Sequence, residues 1–141
     1  MLFRSCAGGV VFLDNKVLLI KNDKGEWTLP KGAIRHDHTA DEVALMRVKD
    51  ETGVTAKMIC SAGETSYEFF SYSRQKPVCN VINWFVMKAE EDKVNLASDQ
   101  GFAEAGFYEI DDAIKILTHN QEKSLIRISH QKVKQLSKIG A

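Results

Sequence analysis

LPKGAIRHDHTADEVALMRVKDETGV, residues Leu29–Val54, carries a phosphate-handling loop and a capped helix in one unbroken run. Leu29-Pro30-Lys31-Gly32 can set a backbone carbonyl, a glycine amide and a lysine ammonium around one polyphosphate. Thr39 followed by Glu42 has the spacing of a capping box, which predicts a helix from about residue 39 to 52. Gly53 ends it, because glycine takes the left-handed position after a helix without steric cost. Ala44, Leu45 and Val48 make the apolar stripe of that helix. Arg47, Asp50 and Glu51 share the adjacent face by i, i+3, i+4 spacing. The predicted result is a carboxylate pair beside the Lys31-Gly32 loop. Two hard oxygen ligands next to a phosphate cradle suit a divalent cation such as Mg²⁺ or Mn²⁺.

Those residues resemble the box of the Nudix (MutT-like) hydrolase family. That box reads Gly, five residues, Glu, seven residues, then Arg-Glu-U-x-Glu-Glu-x-Gly-U, where U is bulky and aliphatic. Set on Gly32, it runs without a gap to Val54. Gly32, Val48, Glu51, Gly53 and Val54 match, Asp50 replaces the first Glu of the pair, and Leu29-Pro30-Lys31 is the family's usual lead-in. Three positions depart: His38 and Arg47 stand where the box has Glu, and Met46 where it has Arg. The resemblance implies an α/β/α sandwich built on a mixed sheet. It also implies water attack on a pyrophosphate linked to a nucleoside, with Asp50 and Glu51 as catalytic residues, Gly32, Asp50 and Glu51 as metal ligands, and Lys31 on phosphate.

The 141 residues make one expected domain, spanning 1–141, with 44% apolar and 27% charged residues and a formal net charge of zero. No overall basic excess draws such a chain to nucleic acid or membrane, so an anionic ligand needs a local patch. The three cysteines, Cys6, Cys60 and Cys79, have no metal-ligand spacing and read as reduced small hydrophobes. Nothing resembles a signal peptide, and no apolar run approaches the roughly 20 residues that span a bilayer. A cytoplasmic protein is expected.

Outward from the box, residues 2–13 and 17–20 read as strands joined by a turn at Asp14-Asn15. Trp27 arrives just before the phosphate loop, as a wall of the site or as a core anchor beneath it. A strand is expected within residues 55–67, an aromatic run follows through Tyr72, and another strand covers residues 78–89. Alternation of Tyr67 and Phe69 puts one face of this region against the fold and leaves the other free. A free aromatic there could stack a nucleobase, at about 1–3 kcal/mol. Residues 105–110 read as a short strand, Asp111-Asp112 as the cap of a helix through Leu117, and residues 121–138 as an amphipathic helix with Leu125, Ile128 and Leu136 on one stripe. Strands and helices mix without regular alternation, the pattern of an α+β fold.

Within the family, Trp27 ahead of the lead-in, Tyr72, and Lys76-Pro77 before Val81-Ile82-Asn83-Trp84 are similar to the diadenosine tetraphosphate hydrolases. That similarity implies Lys76 on the phosphate chain and a tyrosine on adenine. The replaced box acids leave the general base open: Glu104, Asp99, Glu68, Glu42 and His38 are candidates. Arg47 is placed to pair with Asp50 and Glu51 and so compete with a metal. Two functions follow, a slow pyrophosphohydrolase acting on a nucleotide or dinucleoside polyphosphate, or a fold retained as a nucleotide-binding or regulatory module.

Overall fold

The computed structural model describes residues 1–96 and 101–138, so the candidate carboxylate Asp99 lies outside the described residues. Strand β1, Leu2–Leu13, is the centre of the fold. Alternate side chains of a strand point to opposite faces, and β1 serves two cores in this way. Cys6, Val10 and Phe12 pack with Ile110, Ala113, Leu117, Leu125 and Ile126. Ala7 and Val11 pack with Val43, Ala44 and Val48.

Around β1 the strands are β2 (Lys16–Lys21), β3 (Trp27–Thr28), β4 (Lys31–Ala33), β5 (Ala56–Ser71), β6 (Lys76–Ala89) and β7 (Glu104–Glu109). Among the described residues they form one seven-stranded sheet in the order β3-β2-β1-β6-β5, with β4 on β1 and β7 on β2. β1 and β6 run parallel from Leu2↔Val78 to Phe12↔Lys88, whereas β5 returns antiparallel on β6. Among the described residues the helices are α1 (Ala40–Thr52), α2 (Ile110–Ile116) and α3 (Asn120–Lys138). α1 covers one face, and α2 with α3 the other. This is the α/β/α sandwich on a mixed sheet that the sequence implied.

α1 begins and ends where its signals stand. The Glu42 carboxylate accepts the Thr39 N–H at 3.0 Å, and Gly53, at φ 75°, donates its N–H to the Lys49 carbonyl at 2.8 Å. Three local expectations change. Lys31–Ala33 is a strand rather than an open loop, with Gly32 opposite Ala7. α2 starts one residue after Glu109, which places Asp111 and Asp112 inside its first turn, where carboxylates suit the helix dipole. On α3 the inward stripe is Glu122, Leu125, Ile126 and Ser129, whereas Ile128 is 52% exposed.

Candidate functional site

A cleft of about 950 Å³ opens on the α3 side of the sheet. Its floor is one sheet face, because the register sets Arg4 opposite Asn80 and Asn80 opposite Tyr67. Tyr67 and Phe69, spaced by two on β5, both line it. Asn80 donates from Nδ2 to the Tyr67 hydroxyl at 2.7 Å and anchors that ring from below. One wall carries Thr28, Leu29, Lys31 and Glu51, and Thr118 to Glu122, bonded to the Trp27–Lys31 segment, line the cleft as well.

Glu51 sits in the last turn of α1, only 2% exposed, and its Oε1 has no hydrogen-bond partner among the described residues. Leaving a carboxylate without a partner in such a place is costly. Burial accordingly pushes its pKa from 4.5 up to about 7, opposed by the cations of Arg47 and Lys31 and assisted by Asp50. The raised value fixes the sign of a stability effect. The group's full contribution is present below 4.5, and it is lost as pH rises through about 7. A shift of this size corresponds to about 3 kcal/mol. In a chelator-containing buffer, chemical denaturation should show stability falling between about pH 4.5 and 7, and Glu51→Gln should flatten that slope; an unchanged slope would place the carboxylate in contact with water.

The two carboxylates of the sequence pair part company. Asp50 is exposed and lines a separate recess of about 160 Å³ with Ala33, Arg35, His38, Val43, Met46 and Arg47. Successive helix residues differ by about 100° in direction, so one can face the cleft while the next faces this recess. The Arg47 side chain lies against Gly32, where a β-carbon would run into its guanidinium. Among the described residues, no carboxylate reaches ion-pair distance of Arg47.

Lys31 points into the cleft, and its Nζ lies 3.6 Å from Glu122 Oε2. Glu122, on α3, is 5% exposed and accepts the Leu29 N–H at 3.0 Å. Burial pushes its pKa up, and Lys31 and the Leu29 amide pull it back. Sequence reasoning passed over this residue. The available signal was a carboxylate in line with Leu125, Ile126 and Ser129 at i, i+3, i+4 and i+7, an acid on an apolar stripe.

The other candidates lie elsewhere. Trp27 packs edge-on against Tyr108 at 5.3 Å, donates its N–H to the Thr118 hydroxyl and accepts the Thr118 N–H at its carbonyl, and does not line the cleft. Tyr72 is 80% exposed near the β5–β6 turn, and Lys76 is exposed beside it; neither lines the cleft. Glu104 approaches Lys21, Glu42 caps α1, and Glu68 sits opposite Cys79, one residue out of phase with the cleft face. His38 lies in the recess with Asp50.

Among the described residues no three His, Cys, Asp or Glu side chains cluster closely enough to hold a metal on their own. The donors still fit a Mg²⁺ that arrives with its ligand. That ion keeps several waters and is commonly held by one or two carboxylates plus substrate phosphates, and the unpartnered Glu51 oxygen is one such donor. None of the described helices is long and apolar enough to cross a membrane, and Cys6, Cys60 and Cys79 are free thiols.

Comparison with known proteins agrees with this architecture. The family profile of the NUDIX domain matches residues 2–128. A Mycobacterium tuberculosis protein named mutator MutT4 is 25% identical over 114 residues, covering 81% of this chain and 45% of that protein, so the chain spans less than half of that relative's length. A Caenorhabditis elegans Ap4A hydrolase in a binary complex superposes with a TM-score of 0.75 at 21% identity, over 94% of this chain and 98% of that one. The NUDIX domain of Shewanella oneidensis NrtR, complexed with ADP ribose, superposes with a TM-score of 0.74 at 16% identity, over 94% and 90% of the two chains.

Proposed function

The chain belongs to the NUDIX family, and from that premise we propose that it is a hydrolase of pyrophosphate linkages in nucleoside diphosphate derivatives, dinucleoside polyphosphates among them. The observation that carries this reading is Glu51: a buried carboxylate with an unpartnered oxygen and a pKa near 7, sharing a cleft wall with Lys31. A group poised near the operating pH is suited to taking a proton, and burying a charge without a partner is hard to explain as a device for stability.

Lys31 supplies a cation for the phosphate chain, and Tyr67 and Phe69 offer aromatic surface on the cleft floor for the nucleobase. Of the two tyrosines expected to stack a base, Tyr67 lines the cleft together with Phe69 and Tyr72 does not. Mg²⁺ or Mn²⁺ arriving with the phosphate chain would be held by Glu51, with Asp50 turned away into the separate recess, and would neutralise phosphate charge while lowering the pKa of the attacking water. Ionised Glu51 would take a proton from the attacking water as its oxygen bonds to one phosphorus, the bridging P–O bond would break, and the second phosphate group would leave with the bridging oxygen. A cytoplasmic setting, with reduced thiols and soluble nucleotides, accompanies this proposal.

One observation favours a different function. Arg47 occupies the space beside Gly32, and the recess around Asp50 carries Arg35 and His38 as well. Such a recess favours an anion over a cation, as a nucleotide-binding or regulatory module would require. Release of phosphate and nucleotide from dinucleoside polyphosphates, nucleoside triphosphates and ADP-ribose, each with Mg²⁺ and with Mn²⁺, separates the two. Metal-dependent product from any of them supports the hydrolase. Saturable binding without product in either metal would establish the module instead.

A further inference from the structure

Thr118, two residues ahead of α3, and Glu122, in its first turn, tie the start of that helix to the Trp27–Lys31 segment at four points. The Trp27 N–H donates to Thr118 Oγ1 at 2.9 Å, and the Thr118 N–H donates to the Trp27 carbonyl at 3.1 Å. The Leu29 N–H donates to Glu122 Oε1 at 3.0 Å, and Lys31 Nζ stands 3.6 Å from Glu122 Oε2. The first three are backbone-anchored and short. The fourth is long for a charge-assisted contact, which closes to about 2.7–2.9 Å when well made. The two side chains also differ in depth: the Lys31 side chain is 23% exposed, the Glu122 side chain 6%. Glu122 is therefore the fixed partner, held by the buried Leu29 amide, and Lys31 the movable one, on a flexible stem at the cleft surface.

We propose that Glu122 is a positioning residue that does two separable things: Oε1 fixes the Leu29 turn, and Oε2 holds the Lys31 ammonium in the cleft until a phosphate oxygen of a polyphosphate ligand takes it over. The proposal rests on the reading of Lys31 as the phosphate contact. A lysine with no carboxylate nearby would bind polyphosphate more tightly but would wander over its rotamers. A lysine locked in a short, buried pair would not release. The long contact to a well-anchored carboxylate lies between these extremes, so Glu122 trades affinity for placement.

The two jobs come apart by substitution. Glu122→Gln keeps an oxygen for the Leu29 N–H and removes the charge from Lys31. Glu122→Ala removes both and leaves the buried Leu29 N–H without an acceptor. Affinity for inorganic tripolyphosphate, measured calorimetrically without metal, should rise about three- to tenfold in Glu122→Gln, the scale of one charge-assisted contact. In Glu122→Ala it should fall, together with the melting temperature. Opposite signs for the two variants are the expected result; a residue serving only as scaffold would weaken binding in both or in neither, and either of those outcomes would overturn the proposal.

Lys31→Ala separates this from the underlying reading. Binding that is lost in Lys31→Ala but unmoved in Glu122→Gln rejects the exchange alone. Binding indifferent to Lys31→Ala rejects the phosphate role of Lys31, and the proposal with it. A second readout needs no ligand. Acylation of Lys31, followed by peptide mass spectrometry, should be faster in Glu122→Gln than in the natural protein, and equal rates would mean that the carboxylate does not hold the ammonium.

Discussion

Glu51→Gln should lower pyrophosphate hydrolysis by at least about a hundredfold, the usual scale for removing a positioned acid–base group, while leaving the fold intact and the protein more stable above pH 7. The two effects share one cause. Glu51 is 2% exposed with an unpartnered oxygen, so its ionised form is strained in the folded protein. A neutral amide of the same shape relieves that strain and cannot take a proton or hold a cation. Stability gained at the expense of activity is the signature of a group kept for function. Glu51→Ala is the poorer test, since deleting a buried side chain leaves a cavity with its own cost. Turnover on the most responsive nucleotide, set beside urea denaturation at pH 8, measures both quantities. Activity that survives Glu51→Gln would remove this carboxylate from the chemistry, and activity lost together with cooperative unfolding would show a structural role instead.

The parts of this fold that were legible in sequence are those governed by local chemistry. Thr39, Glu42 and Gly53 each settle a backbone group within one turn, so the ends of α1 could be read directly. The alternation of Tyr67 and Phe69 likewise foretold a shared strand face, which proves to be the cleft floor. The separation of Asp50 from Glu51 was not legible. Helix spacing sets the angle between neighbours but not which of them meets the sheet, and that is decided by how Val43, Ala44 and Val48 dock against β1. Glu122 was harder still, because the Leu29 amide that explains it is 93 residues away in sequence. Its one local sign, an acid on an apolar stripe, is drowned by the many charges on the other faces of α3.

Arg47→Glu is the substitution with the largest expected gain. In the natural protein the Arg47 guanidinium lies against Gly32 and lowers the pKa of Glu51. Replacing it with a carboxylate removes that help and adds a like charge one turn from Asp50 and Glu51. Like charges at this spacing cost a few tenths of a kcal/mol per exposed pair, and more where one partner is buried, so the metal-free variant should melt below the natural protein. Added Mg²⁺ reverses the order. A cation that binds only the folded state stabilises it by about 2.7 kcal/mol at a hundredfold excess over Kd, or roughly 5–10 °C for a domain near this size. The natural protein, with Arg47 in place, should respond far less. Sodium chloride at matched ionic strength is the control, since simple screening of three carboxylates would raise the melting temperature with either salt. If the arginine is what limits catalysis, the variant should also turn over a diphosphate-containing nucleotide faster, by about tenfold or more on the scale of a restored charge interaction. A selective Mg²⁺ response with no gain in rate would show that the cation site can be rebuilt while the proton acceptor is still missing. With neither, Arg47 does not obstruct the site, and the anion-accepting recess around it becomes the better account of what this residue is for.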